Sequence, residues 1–292
     1  MTFRIAVICL FCISFDKSYA QGDSTIISFN KPKPFSFITN VPGELVQLVK
    51  KPFQKKSLKS TALVIGSTVL LVAIDQPIYD GVRKFSDNIN LHPEEKNHII
   101  WSIKTGSKET VLLKTPENLN TALYLIGQGM PSLLIAGGLF IHGKIKHNYR
   151  SSQTASDIAE SYITLGLTTQ LTKWISGREN PLVASRRNGT WRPFPSLSSF
   201  YNNKPFYDAF PSGHLATMMA TITILANNYP EKKWIKPVGY SLMVLTSFAM
   251  INNGVHWASD YPIGIGLGYL SGKIITDKHK NKKSINTSLS GF

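Results

Sequence analysis

Long apolar runs separated by polar and basic stretches dominate the sequence. No internal repeat and no strand-like alternation of apolar and polar positions stand out. The pattern therefore predicts an all-α fold, a bundle of about six core helices. The apolar runs lie at about 61–74, 121–141, 157–176, 214–227, 236–252 and 261–276.

The first two runs differ in length and in how they end. Asp75 and Pro77 follow the first run, and we expect them to end its helix. The second run, 121–141, is the one that reaches the roughly 20 residues needed to cross a bilayer. Residues 78–118 are polar and mixed in charge, and no strong element is predicted there. One short helix is expected near 44–50.

An antiparallel bundle would place alternate loops at the same end. The loops after the first, third and fifth helices would then bring together 177–210, the turn at 211–214 and the junction at 252–260. The opposite end would be uniformly basic, which suits either a solvated surface or the cytoplasmic side of a membrane. Its basic residues are Lys50, Lys51, Lys55, Lys56, Lys59, Lys144, Lys146, Arg150, Lys232, Lys233, Lys236 and those of 273–283.

The first 20 residues have the features of a secretory signal peptide. Arg4 precedes an apolar core, and Ser18-Tyr19-Ala20 resembles a cleavage site. Both cysteines, Cys9 and Cys12, lie inside this segment, so a cleaved product would have neither a disulfide nor a thiol nucleophile. The predicted organisation is a signal peptide at 1–20, a linker or extension at 21–58, a helical domain at 59–277 and a basic polar tail at 278–292.

A net charge of +15 points to anionic partners. The lysines lie between apolar runs and no nucleic-acid-binding module is recognisable, so a nucleic acid is not an expected partner. If the basic end is cytoplasmic, the other end of the bundle, with the site, faces the periplasm. A cleaved signal peptide followed by six membrane spans predicts the reverse orientation. We expect a membrane-associated protein of the cell envelope whose site faces the periplasm. The sequence does not indicate an oligomeric state.

Residues suited to phosphate chemistry concentrate at the less basic end. Pro211-Ser212-Gly213-His214 opens the fourth helix, where unpaired N–H groups and the helix dipole favour an anion. His256 and Asp260 lie one helical turn apart if the sixth helix begins there. The carboxylate can then hold one ring nitrogen and leave the other for nucleophilic attack. No His/Cys/Asp cluster has metal-ligand spacing, so neither a metal nor a cofactor is expected.

The order and spacing of three short segments resemble the type 2 phosphatidic acid phosphatase (PAP2) superfamily, which also includes bacterial acid phosphatases and vanadium haloperoxidases. The family pattern is Lys-x6-Arg-Pro, then Pro-Ser-Gly-His, then Ser-Arg-x5-His-x3-Asp. The resemblance covers roughly 120–276. The matching residues are Lys173, Pro181, Pro211, Ser212, Gly213, His214, His256 and Asp260.

The resemblance implies a role for each matching side chain. His256 would be the nucleophile that forms a phosphohistidine, and Asp260 would orient it and stabilise the imidazolium. His214 would protonate the leaving oxygen and later activate water. The residues implied in holding the phosphate are Lys173, Arg178, Asn180, Ser212 and Gly213.

Two arginines of the family pattern are replaced in this chain, by Asn180 in the first motif and Met250 in the third. The family arginines hold phosphate oxygens through charge-assisted hydrogen bonds, which Asn replaces in part and Met not at all. Either a loop arginine compensates, or turnover is weak, or the protein binds without hydrolysing. The candidate loop residues are Arg186, Arg187 and Arg192.

These features predict a phosphomonoesterase that acts on a lipid-like or isoprenoid phosphate or pyrophosphate. The membrane segments that flank the site favour such a substrate. Two alternatives stay open: a soluble-type acid phosphatase for small esters, and a catalytically degenerate protein that binds phosphate or anionic lipid. Asn180 and Met250 motivate the second alternative.

Overall fold

The structure is a computed structural model that describes residues 26–93, 96–106, 108–279 and 281–283. The signal peptide predicted for 1–20 and most of the tail predicted for 278–292 lie outside the described residues. The larger of two compact units spans Phe29–His279. In the other unit, β1 (Ile26–Ser28) pairs antiparallel with β4 (Asn281–Lys283).

Helices form most of the larger unit, and all six predicted apolar runs lie in helices. The prediction of an all-α bundle with six core helices is confirmed in outline, and so is the short helix expected near 44–50. The helices are α1 (Ser36–Thr39), α2 (Val41–Lys50), α3 (Leu58–Asn88), α4 (Leu119–Gly127), α5 (Gly129–Ile145), α6 (Tyr149–Ser176), α7 (Leu197–Asn202), α8 (Gly213–Asn228), α9 (Ile235–Asn252) and α10 (Asp260–His279).

The expectation that Asp75 and Pro77 end the first core helix was wrong, because α3 continues to Asn88. Proline removes one backbone donor and normally breaks a helix. Here the backbone N–H of Gln76, the residue before the proline, donates to the side-chain oxygen of Asn188 at 2.9 Å. Tertiary contacts at this turn therefore outweigh the local preference.

Among the described residues of the larger unit, one pair of strands departs from the all-α fold, a β-hairpin. β2 (Asn97–Thr105) pairs antiparallel with β3 (Lys108–Pro116), in the interval where no strong element was predicted. Gly106 takes a positive φ of 64° at the turn, which suits glycine. The run of Ile and Trp at 99–103 has β-propensity that a search for helix-length apolar runs passes over.

The second apolar run, 121–141, is split between α4 and α5, which meet at a bend of 62°. Glycines flank the bend because both sides are closely packed. A Cβ on Gly127 would lie 2.4 Å from Thr246 Cγ2, and one on Gly129 would lie 2.4 Å from Tyr162 Cε2. In the described part of the chain, α3 is the single helix long and apolar enough to cross a membrane, and the bent α4–α5 pair is a second if counted as one span.

Close packing of α10 on α8 sets the position of the candidate site. Gly264, Gly268 and Gly272 recur every fourth residue along α10, so they lie on one face. A Cβ on Gly264 would lie 2.5 Å from the Ser212 carbonyl oxygen, and one on Gly268 would lie 2.2 Å from that of Ala216. Backbone contact at this distance brings the first turns of both helices together, and the Ser212 N–H donates to the Asp260 carbonyl at 3.0 Å.

Candidate active site

The structure brings together the three segments that were expected to share one end of the bundle. Arg178 follows α6, His214 lies in the first turn of α8, and His256 and Asp260 lie at the junction of α9 and α10. Side chains of the first and second segments each lie within hydrogen-bonding distance of side chains of the third. The site is thus assembled where helices begin and end.

His256 is held by its Nδ1 atom and is 2% exposed. This nitrogen lies 2.7 Å from the carbonyl oxygen of Ala209 and 3.4 Å from Asp260 Oδ2. Since both neighbours are hydrogen-bond acceptors, Nδ1 carries the proton and Nε2 keeps its lone pair. Nε2 faces His214 Nδ1 at 3.3 Å.

The contact between His256 and Asp260 differs from the expected one. The expectation of a helical turn that begins at His256 was wrong, because α10 begins at Asp260 and His256 lies in the preceding turn. Asp260 Oδ2 instead accepts the backbone N–H of Trp257 at 2.7 Å. The backbone carbonyl of Ala209 is therefore the closer partner of the imidazole, and the carboxylate is the second.

Burial sets the protonation of this pair. It lowers the pKa of His256 to about 3, an effect that the positive charge of Lys173 increases. The imidazole is accordingly neutral at physiological pH, as a nucleophile requires. Burial also raises the pKa of Asp260 to about 6, although the adjacent Arg178 opposes the shift.

Arg178 lies behind the imidazole pair, in a fully buried ion-pair network. Its Nη1 donates to Asp260 Oδ1 and to Ser259 Oγ, both at 2.6 Å. Its Nη2 donates to Asp75 Oδ2 at 2.7 Å and to the Asn188 carbonyl at 3.0 Å. One guanidinium thus joins α3, the 177–210 loop and α10.

This network changes what Arg178 can do. The guanidinium lies between the rings of Trp191 and Trp257, with its carbon 4.7 Å and 5.5 Å from the two ring centroids. Both terminal nitrogens already donate to protein acceptors. The structure therefore places Arg178 as a support of Asp260, with no exposed atom to present to a phosphate.

Lys173 lies in the last turn of α6, and its charge acts on His256. It is 8% exposed, and its Nζ lies 3.9 Å from Asp208 Oδ2. Burial lowers the pKa of Lys173, which the charges of Asp208 and Asp260 oppose. Asp208 is thus the anionic side chain that pairs with Lys173 in this structure.

The Pro-Ser-Gly-His turn forms the N-terminus of α8. The bond between Phe210 and Pro211 is cis, and Ser212 is the N-cap, whose Oγ accepts the Leu215 N–H at 3.4 Å. Gly213 is the first helical residue. This arrangement directs backbone N–H groups and the positive end of the helix dipole towards the histidines.

Neither residue that replaces a family arginine offers a cation. Asn180 is buried, and its side chain accepts the Val183 N–H at 3.3 Å, which caps a short 3₁₀ turn. Met250 is fully buried in the main hydrophobic cluster, with Leu215 and Met219. Of the loop arginines, Arg192 forms an ion pair with buried Glu179.

The 177–210 loop is organised by that same Glu179. Its Oε2 accepts the backbone N–H groups of Ser185 and Thr190 at 3.0 and 2.9 Å. These donors and Arg192 outweigh burial and lower the pKa of Glu179 to about 2. The loop is therefore held rigidly over the site, and Arg192 is already paired.

Sequence reasoning missed four contributors to the site. Asp75 was interpreted as the end of a helix, although a lone Asp at the end of an apolar run is itself a sign of a buried partner. Asp208 and Ser259 adjoin the motifs and carried no spacing signal. The Ala209 carbonyl is a backbone group, so no side chain marks it in the sequence. Among the described residues, no group of three or more His, Cys, Asp or Glu side chains is arranged to hold a metal ion.

Comparisons with known proteins address the same part of the chain. Residues 154–284 match the family model described as PAP2 superfamily. A lipid A 1-phosphatase from Porphyromonas gingivalis is 35% identical over 68 residues, which are 23% of this chain and 15% of that protein. The chain thus aligns with only a small part of that relative's length.

A solved structure is a second, weaker match. It is the first transmembrane PAP2 type phosphatidylglycerolphosphate phosphatase from Bacillus subtilis, at 14% identity and a TM-score of 0.33, with 84% of this chain and 96% of that chain covered. A TM-score of 0.33 is too low to establish a shared fold. The part of the chain that matches the family model, 154–284, contains all three motifs.

Proposed function

We propose that this protein is a phosphomonoesterase that cleaves a lipid-like or isoprenoid phosphate or pyrophosphate through a phosphohistidine at His256. The observation that carries the proposal is the setting of this imidazole. Its Nδ1 is held by the Ala209 carbonyl and Asp260, and its unprotonated Nε2 faces His214. A neutral imidazole with one fixed nitrogen is a competent nucleophile.

In the first step, His256 Nε2 attacks the phosphorus and the bond from phosphorus to the leaving oxygen breaks. His214 gives its proton to that oxygen, which leaves as an alcohol or, from a pyrophosphate, as a phosphate. The positive charge that develops on the imidazole is stabilised by Asp260 and by the Ala209 carbonyl. The two ring nitrogens are 3.3 Å apart, so the rings must separate to admit the phosphoryl group between them.

In the second step, His214 accepts a proton from water as the water oxygen attacks phosphorus. The phosphorus–nitrogen bond breaks, inorganic phosphate leaves and His256 returns to its neutral form. The phosphoryl oxygens would be held by Lys173 and by the N–H groups at the start of α8. Lys173 must exchange its contact with Asp208 for the substrate.

A lipid-like substrate and a membrane location are supported by three observations. The first is the lipid A 1-phosphatase relative. The second is α3, whose side chains Leu63, Val69 and Leu70 are more than half exposed although apolar. The third is the position of the site beside α3 through Asp75, which would place the histidines near a membrane surface. We propose association with the cell envelope, with the site on the periplasmic side.

Rapid-quench labelling with a phosphorus-labelled activated ester tests the mechanism. We expect label on His256, and none in His256→Ala. His214→Ala should still be labelled, because an activated leaving group needs no proton, but should lose label at least about tenfold more slowly. Parallel reactions with chelator show whether a metal takes part. Label on Ser212 or His214 of an active preparation would contradict the proposed roles.

The main rival is a protein that binds phosphate or anionic lipid without hydrolysis. The missing arginines, the buried Arg178 and the contact of Asp208 with Lys173 favour it. A soluble-type acid phosphatase for small esters is the other alternative. Bound substrate without released phosphate would support the binder, and equal turnover of long-chain and short-chain phosphates would support the second.

Restoring a cation tests how far the lost arginines matter. We expect Asn180→Arg to tighten inhibition by vanadate about tenfold, the value of a modest charge-assisted contact. Met250→Arg is the matched contrast, because its charge would enter the hydrophobic cluster and destabilise the fold. Unchanged vanadate inhibition in folded Asn180→Arg would show that another group already fills the position.

A further inference from the structure

A cavity of about 800 Å³ lies near the end of the bundle away from the histidines, and the proposed function does not use it. It opens between the segment that precedes α1 and the helices α5 and α6. Its volume is within the range of about 300–1,000 Å³ that is typical of small-molecule sites. None of the candidate catalytic residues lines it.

The walls of the cavity are mostly apolar. Phe35 and Phe37 contribute from the N-terminal side, Phe140 from α5, and Ala136 and Ala155 from the floor. The two alanines are buried, whereas Phe35 and Phe140 are 67% and 51% exposed. Small residues at the floor and large exposed rings at the mouth leave a slot that suits a hydrocarbon chain.

The outer surface of α5 continues this apolar wall. Leu134, Ile141 and Ile145 are all more than half exposed. These side chains lie on the second candidate membrane span, the bent α4–α5 pair. An acyl chain could therefore enter the cavity from the side, without passing through water.

Positive charge surrounds the same opening. Lys31, Lys33, Lys144 and His147 line it, and the described lining includes no Asp or Glu. Lys144 Nζ lies 5.3 Å from the centroid of the Phe140 ring, so cation and apolar wall are adjacent. A ligand with an apolar tail and an anionic head matches both features, whereas a wholly apolar ligand leaves the cations unused.

We propose that this cavity binds one anionic membrane lipid, with an acyl chain between α5 and the segment at 31–37 and the phosphate of its head group against Lys31, Lys33 and Lys144. The site is separate from the histidines and has no part in hydrolysis. Its lipid would connect the N-terminal segment to the bundle at the membrane surface.

Photolabelling in lipid nanodiscs tests the proposal with the full-length chain. The probe is a phosphatidylglycerol that carries a photoactivatable group in its acyl chain, and peptide mapping locates the label. We expect label in 31–37 and 136–147. Labelling by this probe should be at least about fivefold greater than labelling by the matching phosphatidylcholine, which is the effect of one interfacial lysine. Excess glycerol phosphate in solution should not reduce it.

Two variants probe the two halves of the site. The triple variant Lys31→Gln, Lys33→Gln, Lys144→Gln should reduce labelling to the phosphatidylcholine level. Ala155→Phe fills the floor and should reduce labelling by both lipids. The matched control replaces three exposed lysines outside the cavity: Lys55→Gln, Lys56→Gln, Lys59→Gln.

The outcomes separate this proposal from the catalytic one. Labelling that is equal for the two lipids, absent from both peptides or unchanged in both cavity variants would overturn the lipid site. Displacement by glycerol phosphate would assign the cations to a soluble phosphate and would also overturn it. Phosphate release should be the same in wild type and in the lysine triple variant, whatever the labelling shows.

Discussion

Buried carboxyl groups lie at both ends of α10, but the two clusters are neutralised in different ways. At its first residue, Asp260 and Asp75 share the guanidinium of Arg178. At its last residue, His279 contacts Asp157 at 2.8 Å, close to buried Glu44 and Glu160. The buried partner in the first cluster is an arginine, whereas the partner of Asp157 in the second is a titratable histidine.

The difference shows which end can respond to pH. Arg178 stays charged at any physiological pH, so the support of Asp260 is constant. Burial and the neighbouring Glu160 raise the pKa of Glu44 to about 9, against the opposing effects of Thr164 and Lys278. Glu44 therefore holds a proton at neutral pH and can share it with Glu160. The cation that supports Asp260 is therefore fixed in charge, whereas the carboxyl groups at the opposite end lie beside titratable partners.

The largest expected effect is from Arg178→Ala, which leaves two buried carboxylates without their cation. Breaking a buried pair in this way costs about 3–5 kcal/mol. We expect a large fall in the free energy of unfolding, and loss of turnover because Asp260 loses its support. Thermal or denaturant unfolding measures the first, and phosphate release the second. Arg186→Ala, in the same loop and exposed, is the control; equal stability of the two variants would contradict the network's role.

A smaller effect, visible only as a function of pH, is expected from Glu44→Gln. Because the folded pKa of Glu44 is above the unfolded value of 4.5, its contribution to stability is complete below pH 4.5 and is lost as the pH rises to about 9. The variant cannot ionise, so its melting temperature should fall less between pH 5 and pH 9 than that of wild type.

Glu231→Gln is the control for this comparison. Its hydrogen bond with Arg150 lowers the pKa of Glu231, so the contribution of that group is lost as the pH falls. Between pH 5 and pH 9, the melting temperature of this variant should fall as much as that of wild type. If the melting temperature of Glu44→Gln falls as steeply with rising pH as that of wild type, Glu44 is not the protonated group.

The smallest effect is expected from His279→Gln. Burial lowers the pKa of His279, but the hydrogen bond and charge of Asp157 outweigh it and raise the pKa above 6.5. Its contribution is therefore complete below pH 6.5 and is lost as the pH rises through the folded pKa. In a plot of melting temperature against pH, the slope of the variant should differ from that of wild type only above about pH 6.5. A difference confined to pH values below 6.5 would contradict this assignment to His279.

The sequence alone determined the six core helices and the end at which the motifs meet. Apolar periodicity and the antiparallel order of short-looped helices depend on local composition, which is visible in a single chain. His214, His256 and Asp260 were placed together for that reason. The three-part order of the motifs also identified the superfamily that the family model matches.

Only the tertiary structure decided how those residues are held. Asp75 meets Arg178 across 103 positions, and His256 meets the Ala209 carbonyl across 47. The bend at Gln128 likewise follows from contacts that Gly127 and Gly129 make with distant helices. Such contacts depend on the packing of segments far apart in the chain, and a backbone carbonyl has no side chain to mark it. The sequence therefore named the candidate reacting groups, and packing determined which nitrogen of His256 faces His214.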